Sequence, residues 1–536
     1  MSLRGWTWAC TLASGILALA WLLLRSGTKP SRLAYPCQRA AMGTAAAAFG
    51  GPLVAGLILA RTRLLAGLHH WAGKSVLAAG VTLAGVLFTL ARTPAPPDVT
   101  MLIPPANHHP VVFQVNHARG AEPLRHGGFD DLVTLMGLNA MPWHRSAVSG
   151  PTSGPGGLID ATDVVLIKIN AQWPERGGTN TDLLRGVIRR ICEHPDGFSG
   201  EIVVADNGQG WGSLNHAQSN ADDPLQSAQD VVADFATEGW TISAQLWDSL
   251  RFVSVGEYQD GDMTSGYVVD ALDDPETLMK VSYPKFQTAY GTYISYKHGL
   301  WVAGLQVYAP DRLVVINMPV LKTHFIYGVT GAVKNHMGVV TTRLSTDSHN
   351  AVGRGGMGSL LASVRLPDLT LLDCIWVLAR PGRGPAAVYA DASRRDQLLA
   401  GTDPIALDVW AVKHILMPQI IENGYTLADY GDTQDPDNPN SVFRQYLDRS
   451  MNEILAAGID VTNDPNAVDV RVWGGDLDRD GDVDLTDLNA MTGCLAGPGA
   501  VPPSGPPDCT FTDFYQDGDV DLEDYAGLQN TFTGAF

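Results

Sequence analysis

The run Asp163 to Ile169 (DVVLIKI) constrains this chain most, because its apolar residues occupy both alternating positions. A strand with two apolar faces must be covered on both sides. It is followed by Asp182 to Glu193, with Leu183, Leu184, Val187, Ile188 and Ile191 at helical spacing, and then by a second apolar strand, Glu201 to Ala205. Together these form a β-α-β unit, in which the helix supplies the crossover that parallel strands need. The alternation continues through Ala228 to Thr237, Thr241 to Trp247, Leu313 to Ile316 and Leu369 to Val377. Pro404 to Ile415 (PIALDVWAVKHI) reads as a helix with proline in its first turn and Asp403 as N-cap. The expected fold over residues 111–470 is an α/β domain with a mostly parallel sheet and helices on both faces.

Three apolar stretches precede it: Trp6 to Leu24, Met42 to Ala60 and Val76 to Leu90. The first two have the length of about 20 residues that a bilayer demands. Two further stretches follow the first, and no clear A-x-A cleavage site precedes Arg25, so retained spans are favoured over a signal peptide. A membrane anchor of about three transmembrane helices over 1–92 is expected, then a proline-rich linker over 93–110. Arg25, Lys29, Arg32 and Arg39 on one side are balanced by Arg4, Arg61, Arg63 and Lys74 on the other, so charge does not set the orientation. The acidic tail suits the outside of the cell, and the expectation is a multi-pass cell-membrane protein with extracytoplasmic soluble domains.

The formal net charge of -20 argues against a nucleic-acid partner. Most of it lies between Asp476 and Asp524, where DGDVDL at 480–485 recurs at 517–522. In the first copy Asp476, Asp478 and Asp480 fall at alternate positions before Gly481; Asp482 offers a carbonyl, Asp484 acts through water and Asp487 closes the loop. Hard oxygen donors at this spacing specify Ca2+ over magnesium. The second copy has Asp513, Asp517, Asp519, Asp521 and Asp524, with Tyr515 in place of one carboxylate. Apolar helix patterns follow each loop, Leu485, Leu488 and Met491 in one and Leu522, Tyr525 and Leu528 in the other. These residues resemble a type I dockerin, which implies a small α-helical module of paired EF-hand-like loops over 474–536, ordered by calcium, and a cohesin-like protein partner. The insertion between Cys494 and Cys509 is longer than the linker of that family. A bridge between these two cysteines would stabilise the loop by roughly 3 kcal/mol in an oxidising compartment. The six cysteines make no C-x-x-C spacing, so no iron-sulfur cluster is expected.

Three further segments carry the chemistry: VLIKIN (165–170) with TNTDL (179–183), NMPVLKTHFIYGVTGAVKNHMG (317–338), and LAGTDPIALD (399–408). Over Ile159 to Ile415 they resemble the bacterial family catalogued as domain of unknown function 362, and Lys29 to Ala40 resembles its membrane-anchored members. Lys168, Asn170, Asp206, Asn207, Lys322 and His324 sit at or beyond the carboxyl ends of expected strands, where open α/β sheets bind ligands. Lys322, His324, Lys334 and His336 are the catalytic candidates, with Lys168, Asn170, Asp206, Asn207, Asn335 and Asp403 as ligand-binding candidates. Two lysines and two histidines would hold an anionic substrate, or the histidines would join Asp206 or Asp403 at a metal. The plainer alternative pairs the lysines with acids, makes Asn335 a turn cap and buries His324 as a core group. No G-x-S-x-G elbow or H-E-x-x-H helix is present, and Gly353 to Gly358 lacks the lysine of a phosphate loop. Three readings stand: an anchored protein of unknown activity with a calcium-dependent docking module, an enzyme acting through the Lys/His cluster, or a component of polysaccharide breakdown.

Overall fold

In the computed structural model every residue of Val164–Lys168 is buried, and the two faces of this strand enter different cores. Val164 and Leu166 join one, Val165 and Ile167 the other. The structure describes residues 102–529 except 103, 106, 117, 119–124, 217–220, 224, 346, 474–476, 478–482, 504–508 and 514–518.

The strands in chain order are β1 (Val111–Val115), β2 (His144–Arg145), β3 (Ser153–Gly154), β4 (Ile159–Asp160), β5 (Val164–Lys168), β6 (Glu201–Asp206), β7 (Ile242–Leu246), β8 (Gly266–Val269), β9 (Ser282–Gln287), β10 (Tyr293–Ser295), β11 (Gly299–Val302), β12 (Val307–Ala309), β13 (Leu313–Asn317), β14 (Val320–His324), β15 (Gly328–Thr330), β16 (Leu369–Leu378), β17 (Ser393–Gly401) and β18 (Asp469–Trp473). The main helices are α1 (Gly127–Leu138), α2 (Thr181–Cys192), α3 (Ala228–Thr237), α4 (Gly356–Ser363), α5 (Pro404–Ala411), α6 (Val442–Ala456), α7 (Leu485–Met491) and α8 (Leu522–Gln529). The central sheet runs β18-β1-β17-β16-β13-β5-β6-β7, with β14 also on β16 and β15 on β14. A second sheet, β12-β11-β10-β9-β8, and a small one of β2, β3 and β4 complete the set among the described residues.

Helix α2 shows why the local sequence folds as it does. Asn180 caps it by accepting from the amides of Asp182 and Leu183, and Arg189 and Arg190 close its last turn. Its buried stripe, Leu183, Leu184, Val187, Ile188 and Ile191, packs with α1 and α3 on one face of the sheet. Burying each such side chain stabilises the fold by roughly 1.5–3 kcal/mol. The opposite face is covered by α4, α5 and α6 and by the aromatic second sheet, including Tyr267, Tyr283 and Phe286.

Most pairs of the central sheet are parallel, while β17 runs antiparallel to both of its neighbours, β1 and β16. Helices cover both faces, and a second sheet shares one of them. Two expectations are corrected. As for the membrane anchor and the multi-pass location, no helix among the described residues is long and apolar enough to cross a membrane. The three apolar stretches and the 93–100 part of the linker lie outside those residues.

The dockerin-like module of paired EF-hand units is likewise not what the tail forms. The first acidic loop follows strand β18 with no helix before it, and α7 and α8 are short. Both helices open on a side chain-backbone exchange that employs the supposed last ligands. Asp487 accepts from the amides of Leu477 and Asp484, and Asp524 accepts from the amide of Asp521. Val483, Met491, Val520 and Leu528 form a separate apolar cluster with Val470 and Val472 of β18, so the tail packs on the last strand of the α/β domain. Cys494 and Cys509 are joined by a disulfide with a Cα–Cα distance of 5.3 Å. Asp476, Asp478, Asp480, Asp482 and Asp517 lie outside the described residues; Asp484, Asp513 and Asp521 are described.

Candidate functional site

β5, β6 and β13 are parallel neighbours, so their carboxyl ends bring Lys168, Asp206 and Asn317 to one end of the sheet. β16 then pairs with β13 at Leu369 and Thr370 and with β14 further along, so that the chain leaves β13, bends at Met318 and Pro319, and runs on as β14 over that same end. The segment Gly328 to Gly338 folds back across it. The result is a cavity of about 220 Å³ whose lining includes Lys168, Asn170, Asp206, Asn207, His324, Lys334 and Asn335.

Its floor is a network of buried polar groups. Lys168 Nζ lies 3.0 Å from Asp206 Oδ1 and donates to the carbonyl of Asn335 at 2.5 Å. Asp206 Oδ2 accepts from the Ala171 amide at 2.7 Å. Burial pulls Lys168 down and pushes Asp206 up, and their mutual attraction opposes both shifts. Asn170 donates to Asn335 Oδ1, and Asn335 donates to Asn317 Oδ1 at 2.8 Å. Asn207 donates to Tyr267 Oη and to the Val340 carbonyl.

His324 accepts from the amides of Ile326 and Tyr327 at Nδ1, at 3.1 and 3.2 Å. Its neutral ring therefore carries its proton on Nε2, as a donor. Burial, with Lys334 and His349 nearby, holds it far below the usual histidine range. Lys334 is 6% exposed and, among the described residues, makes no hydrogen bond or ion pair. Its ammonium stands over the face of Tyr327, 5.4 Å from the ring centre. Burial and then Lys168 bring its ammonium down to about 7. Among the described residues Asn170 Oδ1 and Thr330 Oγ1, both on cavity-lining residues, are buried without a partner, and Asp206 Oδ1 has only its ion pair with Lys168.

The remaining candidates lie elsewhere. Lys322 is fully buried behind the wall and donates to the Gly177 carbonyl; burial and then Lys334 lower it to about 7. His336 turns away, its Nδ1 facing the carbonyls of Ala332 and Val333, and burial lowers it to about 3. Asp403 is a structural cap: Oδ1 accepts from the amides of Ile405 and Ala406, and Oδ2 from the Thr462 amide and His108. Among the described residues, neither histidine converges with Asp206 or Asp403 in a three-donor metal cluster. Such a cluster is formed by Asp519, Asp521 and Asp524, whose ligand atoms lie within 4.8 Å of one another.

Sequence reasoning missed several parts. Thr330, Gln209 and His349 reach the cavity from a short strand, a loop and a one-turn helix that no periodicity marks. Gly338 is required by close approach, since a Cβ there would stand 2.1 Å from Asp206 Oδ1 and 2.6 Å from Lys168 Nζ. Asp408 lay in a quoted motif without a role; its carboxylate accepts from the amides of Ala332 and Val333 and so fixes the turn bearing Lys334. Burial raises that carboxyl to about 7.

No solved structure matches this chain. A thylakoid-associated protein of Synechocystis sp. is 36% identical over 105 residues, which is 19% of this chain and 32% of that protein. The chain thus spans about a third of the length of that curated relative. Neither this match nor the family match supports a dockerin in the tail. Residues 292–413, the stretch that supplies His324, Thr330, Lys334 and Asn335, match the family described as Domain of unknown function (DUF362).

Proposed function

We propose that the cavity binds a small anionic molecule that also carries a hydroxyl group. The observation behind this reading is Lys334, a buried amine that lines the cavity without a hydrogen-bonding or ionic partner among the described residues. Leaving such a group unpaired is costly, and an arriving anion removes the cost. His324 Nε2–H and the Thr330 hydroxyl supply further donors, while Asn170 Oδ1 awaits a donor from the ligand. Asp206, the carboxylate of this lining, is already paired with Lys168, so the two-carboxylate arrangement of glycoside hydrolysis does not describe the site.

Inorganic phosphate is a suitable first probe. Millimolar phosphate at constant ionic strength should raise the melting temperature of the full chain, and His324→Ala and Thr330→Val should each weaken binding by roughly 1–2 kcal/mol. Equal melting in phosphate and chloride would remove the reading.

A second reading concerns the tail. Asp519 and Asp524 are 7% and 1% exposed, and with Asp521 they crowd three carboxylates whose repulsion a cation would relieve. Oxygen donors alone favour calcium, held here by the C-terminal carboxylates without any EF-hand. Hydrogen exchange over 519–529 should slow in calcium relative to EDTA; identical protection in both would count against an ion.

A further inference from the structure

We infer that Lys334 is a nucleophile that forms an imine with the carbonyl carbon of a small oxo acid that also bears a hydroxyl group. This rests on the anion-binding reading and names the class of ligand. Three lysines meet near the cavity, and the structure treats them differently. Lys168 is committed to Asp206 and to the Asn335 carbonyl. Lys322 is sealed behind the wall and donates to Gly177. Lys334 alone of the three combines a place in the lining with the absence of any hydrogen bond or ion pair among the described residues.

A lysine whose task is only to hold an anion must stay protonated, which burial and neighbouring cations oppose. An amine that must attack gains a great deal, because burial and adjacent positive charge keep its lone pair free. The other free groups divide the ligand in two. His324 Nε2–H and the Thr330 hydroxyl suit a carboxylate, which leaves the adjacent carbonyl to the amine. The step balances without a co-reactant. The amine lone pair attacks the carbonyl carbon, the C=O pair moves to oxygen, and both N–H protons leave with that oxygen as water, giving C=N.

The full chain treated briefly with glyoxylate and cyanoborohydride near neutral pH should carry its reduced adduct mainly on Lys334, as read by peptide mass spectrometry. Its labelling should exceed that of the part-exposed Lys280 by roughly tenfold or more, since an ordinary lysine is almost wholly protonated there. Lys322 should stay unlabelled, Lys334→Arg should abolish the selective adduct, and phosphate should protect Lys334 in the unaltered chain. Labelling spread over surface lysines, or concentrated on Lys322, would overturn the inference. If phosphate raises the melting temperature while Lys334 stays unlabelled, the imine is wrong and the anion reading survives. If phosphate has no effect and Lys334 is still selectively labelled, the amine is nucleophilic but the anion reading fails, and the assignment to an oxo acid fails with it.

Discussion

At the scale of residues, Lys334 is a group the fold carries at its own expense. A buried lysine without an acidic partner disfavours the folded state while protonated, and an apolar replacement relieves that penalty. Lys334→Met should therefore stabilise the ligand-free protein by about 1–3 kcal/mol in chemical denaturation while eliminating the phosphate-induced shift. The pH dependence follows from linkage. Lys334 titrates at about 7 when folded and near 10.4 when unfolded, so between these values the unfolded chain binds more protons and stability rises with pH. Lys334→Met should flatten that rise, and a slope unchanged by the substitution would show that the amine is not depressed. The residue identities of this site were partly readable. Lys168, Asn170 and Asp206 follow apolar strands, so their arrival at one sheet end was implied by the strands themselves. His336 was misplaced because a two-residue spacing says nothing about which way a short helical turn faces. Asp403 was misplaced because an N-cap and a ligand use the same carboxylate.

At the scale of elements, the long periodic segments were legible and the short ones were not. Helix α2 announces itself through five apolar residues on one stripe, and β5 through a run buried on both faces. The second sheet escaped because its strands β8 to β12 are three to six residues long, too short for an alternation to rise above ordinary loop composition. The antiparallel course of β17 escaped for another reason: strand direction depends on the connection, and an apolar strand reads alike in either sense. Helix α5 offers a test of an element boundary. Asp403 caps it, receives the Thr462 amide and pairs with His108, which is raised above its ordinary value chiefly by that hydrogen bond. Asp403→Ala should cost roughly 1–2 kcal/mol for the cap alone. The His108 contribution is present below the ordinary histidine value near 6.5 and fades as pH rises through the raised one, so the deficit should narrow in alkaline buffer. A full deficit persisting at high pH would assign it to the cap by itself.

At the scale of the whole molecule, the acidic tail and the α/β domain share one apolar contact, formed where Val470 and Val472 meet Val483, Met491, Val520 and Leu528. The charge pattern drew attention to cations and hid this packing role. Among the described residues β18 is the last strand of the central sheet, joined to β1. A strand at the end of a sheet is the kind of element that recruits strands from other chains. A chain ending after Trp473 would leave that strand with two uncovered valines, and it should self-associate in light scattering at concentrations where the complete protein stays monodisperse. The C-terminal residues thus cover apolar surface on the last strand of the sheet, and that cover would persist whatever ion or ligand the rest of the molecule takes up.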